Sequence, residues 1–149
     1  MEGLNVLHGR RVGIDTAIFI YALESHPKFG RVAIDLFARV ERSLVTAVAS
    51  DLVLGELIVR PLKLGRDDVV SRYLEEIPRF PNLLLRSVSR EMITEAARLR
   101  SRSSLSLVDA LHLECAKHAG ADFFITNDRR VSQPNLGIDV IQIEEIATE

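Results

Sequence analysis

Short, continuous apolar runs recur along the chain, and stretches of helical spacing separate them. Val12-Gly13-Ile14 is the first, within Arg11 to Asp15. Leu44 to Ala49, Leu83 to Val88, Asp122 to Thr126 and Ile138 to Ile143 repeat the type. Such runs, lacking polar alternation, read as strands covered on both faces. Between them, Thr16 to Glu24 reads as an apolar helix closed by Pro27. Phe29 to Arg42 carries Val32, Ala33, Leu36, Phe37 and Val40 at helical spacing. Ser50 and Asp51 stand as N-caps of a helix containing Leu54, Leu57 and Ile58, punctuated by Pro61 and Gly65. Asp67 to Ile77 is a further helix, ended by Pro78 and Pro81. Ser89 caps one that ends near Ser101, and Ser106 caps one from Leu107 to His118, stopped by Gly120. Strands alternating with helices pair in parallel through right-handed crossovers. The expected fold is α/β: a three-layer α/β/α sandwich around a central parallel sheet.

A length of 149 residues fits one domain over 1–149. Hydrophobic residues at 47% and charged residues at 27% supply a core and exclude a disordered chain. The net charge of -2 argues against a general phosphate-backbone binder, which carries a strong basic surplus. Arginines nevertheless cluster at Arg98, Arg100 and Arg102 and at Arg129 and Arg130. Cys115 is the sole cysteine, which excludes an intrachain disulfide and a thiolate zinc cluster. Its setting is expected to be a reducing cytoplasm. Met1 to Arg11 lacks an apolar signal core, and no apolar run approaches the ~20 residues of a membrane span.

Ligands of open parallel sheets bind beyond the carboxyl ends of the strands. Asp15 ends the first strand, and Asp128 follows the strand Phe123-Phe124-Ile125-Thr126. Two more acids lie in apolar helices: Glu56, among Val53, Leu54, Leu57 and Ile58, and Asp109, among Leu107, Val108, Ala110 and Leu111. Each has an ordinary alternative. Asp15 with Thr16 can cap a helix, Asp128 with Asn127 can cap a turn, and Asp109 sits three residues after Ser106, where a carboxylate favours the positive helix end. Glu56 can face solvent. Together they change the reading, because carboxylates gathered at one sheet edge repel one another unless protons or cations neutralise them. Hard Mg²⁺ or Mn²⁺ suits such oxygens. Zinc does not, since His8, His26, His112 and His118 lack ligand spacing; His112 is expected to serve packing or to be exposed.

The segments Val12-Gly13-Ile14-Asp15-Thr16, Ser50 through Leu54-Gly55-Glu56-Leu57, Leu107-Val108-Asp109-Ala110-Leu111-His112-Leu113 and Phe124-Ile125-Thr126-Asn127-Asp128 together resemble the PIN-domain family. More narrowly, they are similar to the VapC-type toxins of type II toxin–antitoxin pairs. The likeness runs from Val12 to about Ile141. It implies Mg²⁺- or Mn²⁺-dependent RNA cleavage, with Asp15, Glu56, Asp109 and Asp128 as the acidic, metal-binding cluster. Thr16, Ser50, Thr126 and Asn127 match supporting polar positions. Arg129 and Arg130 are expected at the rim, where guanidinium groups suit phosphate. Arg98 and Arg102 are expected on a solvated face. The likeness also implies a cognate antitoxin; a homodimer is expected on general grounds. The apolar segments Ile18 to Leu23 and Val32 to Val40 are candidates for a partner groove. Glu114 departs from the pattern, standing where similar helices carry a small residue, and is expected to be solvated.

Two other readings share the Asp after a first strand. A phosphatase-like domain wants an acid two residues on, where Ala17 stands, and a receiver wants an acidic pair that is absent. An inert PIN-like module that binds RNA or protein is the remaining alternative.

Overall fold

The computed structural model describes residues 3–147. Five strands, β1 (Arg11–Ile14), β2 (Thr46–Ser50), β3 (Leu83–Arg86), β4 (Phe123–Thr126) and β5 (Asp139–Gln142), form one sheet. Every pairing is parallel, in the order β3-β2-β1-β4-β5. Seven helices accompany them: α1 (Thr16–Leu23), α2 (Gly30–Glu41), α3 (Leu52–Lys63), α4 (Asp67–Glu76), α5 (Arg90–Ser101), α6 (Leu107–His118) and α7 (Ile143–Ala147).

Alternation along the strands divides the core in two. Val12, Ile14, Ala47, Ala49, Ile125 and Ile141 face the layer containing Ile18, Leu36, Val40 and Val53 of α1, α2 and α3. Phe124 points the other way, into a second cluster with Ala96 and Leu99 of α5 and Ala110 and Leu113 of α6. The three-layer α/β/α architecture expected from the sequence is the one observed. At Gly13 the second layer comes very close: an added Cβ would lie 2.6 Å from Ala116 Cβ and 2.9 Å from Phe124 Cδ1. Glycine here lets α6 lie directly on β1.

Several boundaries differ from the sequence reading, each for a local reason. Leu44 belongs to the turn before β2, since its N–H bonds Arg39 O at 2.9 Å and its carbonyl accepts from Gly9 N at 2.8 Å. Pro61 lies inside α3 rather than ending it, and the helix runs two residues further, to Lys63. Asp51 occupies the N-cap position of α3 without a side-chain cap bond. Ser50 Oγ accepts from Leu52 N at 3.1 Å instead, and Asp51 Oδ2 accepts from Ser87 Oγ at 2.8 Å. β3 stops at Arg86, two residues short of the expected Val88. A 3₁₀ turn at Gly3–Leu7 and helix α7 were not foreseen; both are too short to establish a period. Among the described residues, no helix is long and apolar enough to cross a membrane.

Strand order decides where a site can form. From β1 the chain winds outward through β2 to β3, then returns to place β4 on the other side of β1. The crevice of such a sheet opens where the winding reverses, beyond the carboxyl ends of β1 and β4. Asp15 and Asp128 follow those two ends.

Candidate active site

Asp15 caps a helix and also lines the cleft at the sheet edge. Its Oδ1 accepts from Thr16 N at 2.9 Å, starting α1. Its Oδ2 accepts from Thr126 Oγ1 at 2.6 Å. Burial raises the Asp15 pKa, and the nearby Asp109 carboxylate pushes it further up, against the lowering effect of Thr126, His112 and the Thr16 amide. A carboxylate in this position is under-compensated by the protein.

Thr16 carries the arrangement to the next acid: its Oγ1 donates to Glu56 Oε1 at 2.7 Å. His112 Nε2 stands 2.6 Å from the same oxygen. The His112 hydrogen bond is the main cause that holds the Glu56 pKa below its ordinary value. In the other direction, Thr126 Oγ1 accepts from Asp128 N at 3.0 Å. One hydrogen-bonded row thus runs His112–Glu56–Thr16–Asp15–Thr126–Asp128 across the carboxyl edge of the sheet. Asn127 lies beside it, its Nδ2 donating to Tyr21 OH at 2.6 Å. Gln142 anchors the loop from below by donating to Asp128 O at 2.9 Å.

Asp128 and Asp109 differ sharply. Asp128 caps the 3₁₀ turn Arg129–Val131, accepting from Arg130 N at 2.9 Å, and Arg130 Nη2 donates to its Oδ2 at 2.7 Å. Arg130 thereby holds the Asp128 pKa down. Asp109 is half-buried in the first turn of α6, where its N–H donates to Ser106 Oγ at 3.1 Å. Among the described residues, its carboxylate has no hydrogen-bond or ion-pair partner; it is felt through its charge on Asp15 and on Arg130.

Asp15, Thr16, Glu56, Asn127 and Asp128 line an open cleft of about 540 Å³, with Arg129 and Arg130 at its rim. Arg129 is engaged with Glu144, so both rim arginines have acidic partners. Ser50, expected to support the acids, is buried; its Oγ accepts from Leu52 N at the start of α3, and among the described residues it makes no hydrogen bond to them. Arg98, on α5, and Arg102, its C-cap, are exposed, as expected, with Arg98 Nε 3.5 Å from Glu95 Oε1.

Two expectations require correction. Glu114 is not solvated: it is 4% exposed and pairs with Lys117 Nζ at 2.8 Å. His112 is buried and hydrogen-bonded to Glu56 rather than exposed or merely packed, and Tyr21 is tied to Asn127 at the cleft. The signal for His112 was its position three residues after Asp109, which turns it to the same side of α6.

The donor set is uniformly carboxylate and hydroxyl oxygen, the chemistry of a hard divalent cation. Among the described residues, however, no three His, Cys, Asp or Glu side chains are gathered tightly enough to hold one ion. Glu56 and Asp128 are instead drawn to His112 and Arg130. The under-compensated Asp15 and the unpartnered Asp109 are the groups that fit a cation without rearrangement of protein bonds.

Residues 12–135 match the PIN domain family. No curated protein matches the chain in sequence. Among solved structures, the fold is similar to VapBC2 from Rickettsia felis, bound to a DNA fragment from its promoter, with TM-score 0.68, 18% identity, and 89% of this chain and 98% of that chain covered. It is also similar to FitAcB from Neisseria gonorrhoeae, with TM-score 0.67, 16% identity and coverage of 90% and 98%. VapC20 from Mycobacterium tuberculosis, described as a sarcin-ricin loop cleaving toxin, gives TM-score 0.67, 14% identity and coverage of 87% and 98%. At these identities the likeness is one of fold, and the family rests on the match over residues 12–135: the chain belongs to the PIN domain family.

Proposed function

We propose that the chain is a single-domain, Mg²⁺- or Mn²⁺-dependent endoribonuclease and the toxin component of a type II toxin–antitoxin pair. The observation that carries the reading is the half-buried carboxylate of Asp15, whose ionisation burial and the charge of Asp109 both oppose, at the switch point of a parallel sheet. Carboxylates that oppose each other's ionisation with too little protein compensation favour a bound divalent cation.

Asp15 and Asp109 would hold that cation, with Glu56 and Asp128 completing its surroundings. Once bound, it supplies Lewis-acid activation of water and charge stabilisation at the phosphate. The protein's own part is orientation. Thr16 N and Thr126 Oγ1 fix both oxygens of Asp15. Glu56, kept ionised by its partners, accepts hydrogen bonds at the cleft wall. Arg130 is largely exposed and forks onto Asp128; turning to a phosphodiester would give it a bidentate partner of the same kind and release Asp128 into the cleft. RNA as substrate rests on the family and on the cleavage named for the similar VapC20. With no Trp and only 5% aromatic residues, grip on RNA falls to phosphate contacts and shape.

An antitoxin partner follows from likeness to the toxin–antitoxin complexes. Ile18 and Phe19 are core, yet Leu23 and Ile34 are exposed along a mainly apolar groove of about 380 Å³ formed by α1, α2 and the segment from Glu76 to Leu83. That groove is the surface for an antitoxin helix or a second copy of the chain. The setting is the cytoplasm.

The pairing of Asp128 with Arg130 and the absence, among the described residues, of a ready three-residue ion site favour the inert RNA- or protein-binding module as the second reading. Cleavage of structured and unstructured RNAs with and without Mg²⁺ or Mn²⁺ separates the two, with Asp15→Asn as control. The expected result is metal-dependent cutting that Asp15→Asn abolishes, and a melting temperature raised by millimolar metal. Equal cutting by the variant, or no cutting with no thermal shift, overturns the nuclease.

A further inference from the structure

The row of hydrogen bonds in the cleft begins on a group that carboxylate chemistry does not require, the imidazole of His112. The ring is 4% exposed. It projects from α6, in the layer with α5, whereas Glu56 projects from α3 in the opposite layer. Their bond of 2.6 Å therefore ties the two helix layers together over the edge of the sheet. The reach is set by close packing, because Gly13 lets α6 lie on β1 with no Cβ between them.

The bond is also selective within the carboxylate. His112 Nε2 and Thr16 Oγ1 both meet Oε1, at 2.6 and 2.7 Å. Among the described residues, no protein group bonds Oε2, and the Glu56 side chain keeps 44% exposure at the cleft wall. An ionised carboxylate is an acceptor only, so the imidazole presents its N–H at Nε2. A glutamate side chain has three rotatable bonds and would otherwise sample several orientations at that wall.

We propose that His112 is a positioning residue, which clamps Oε1 of Glu56 across the sheet edge so that Oε2 is the oxygen offered to the ion and the phosphodiester. The proposal rests on the nuclease reading above. It assigns His112 no contact with substrate; the ring acts through Glu56.

Three variants test it. His112→Leu keeps an apolar side chain of moderate size and removes the donor. His112→Gln places an amide N–H at the same number of bonds from Cβ as the imidazole Nε2. Thr16→Val deletes the second donor on the same oxygen. Loss of a group that orients a metal-site carboxylate typically costs about 10–100-fold in activity or metal affinity. His112→Leu is expected to lose that much in kcat or in apparent Mn²⁺ affinity, with KM for RNA unchanged. His112→Gln should recover to within about fivefold of the parent, and Thr16→Val should show a loss of the same kind. Leu cutting as fast as the parent, or Gln no better than Leu while both melt like the parent, overturns the clamp. Should the Leu variant fail to fold, ¹⁵N NMR of the parent imidazole decides: an Nε2–H tautomer supports the proposal and an Nδ1–H tautomer overturns it. A parent chain that cuts no RNA sinks the nuclease reading alone. The clamp is then judged by Mn²⁺-induced stabilisation, where the parent and Gln must respond at lower concentration than Leu, and equal responses reject it.

Discussion

Helices α2 and α6 are both twelve residues long, and they are built on opposite principles. α2 buries Gly30, Ala33, Leu36 and Val40 along one stripe and shows Arg31, Asp35 and Glu41 to solvent. α6 buries every residue from Ala110 to Ala116, and that stretch includes His112 and Glu114. A one-sided helix needs only correctly spaced apolar residues. A helix enclosed on all sides must find a partner for each polar group it takes inside. His112 finds Glu56 and Glu114 finds Lys117. The first bond leads into the cleft and the second does not, so burial of a polar side chain on α6 marks necessity without by itself marking chemistry.

The largest effect that would sharpen this contrast is expected at the mouth of α6. Asp109→Asn should reduce metal-dependent RNA cleavage more than ~100-fold, beyond the loss typical of a merely supporting group. Its melting temperature without metal should hold or rise, because the change removes a charge that has no protein partner and that disfavours ionised Asp15. Full activity in this variant would reduce Asp109 to a helix-end charge. On α2 the expected effect is on stability instead. Leu36→Ala, at a fully buried position, should cost about 2–5 kcal/mol in chemical denaturation, with cleavage per folded molecule unchanged. A matching fall in specific activity would show that α2 also shapes the cleft.

The smallest effects compare two ion pairs. Glu114–Lys117 on α6 has a carboxylate only 6% exposed, and Asp35–Arg39 on α2 is 49% exposed at the acid. Glu114→Gln should destabilise by about 1–3 kcal/mol, as for a hydrogen bond to a charged group. Asp35→Asn should stay within about 1 kcal/mol, because solvent screens an exposed pair. Equal costs would erase the distinction between the two helices. A drop in cleavage with Glu114→Gln would bring that residue into the site after all.

The acidic edge shows how unevenly a site can be read from the chain. Asp15 was legible because it follows an apolar strand, and strand ends in parallel sheets face ligands. It caps Thr16 and also accepts from Thr126, so the capping bond leaves its second oxygen at the cleft and the two readings do not exclude each other. Ser50 is legible as a polar residue at a strand end, and the bond it is seen to make is to the entry of α3. Arg130 was placed at the rim by its position after Asp128; that it forks onto Asp128 itself depends on the turn between them. Glu114 was expected in solvent because glutamate is rarely buried, and only its Lys117 partner explains the exception.

From the sequence alone came the elements, their parallel pairing and the candidate acids, because apolar period, caps and strand ends are local properties that neighbouring residues determine. The tertiary structure decided strand order, and with it the reversal between β1 and β4 that brings Asp15 and Asp128 to one crevice. It also decided which polar groups meet. Thr126 reaches Asp15 across 111 positions, and His112 reaches Glu56 across 56. Hydrogen bonds act over about 3 Å, so partners so distant along the chain are fixed only when packing has set the layers in place.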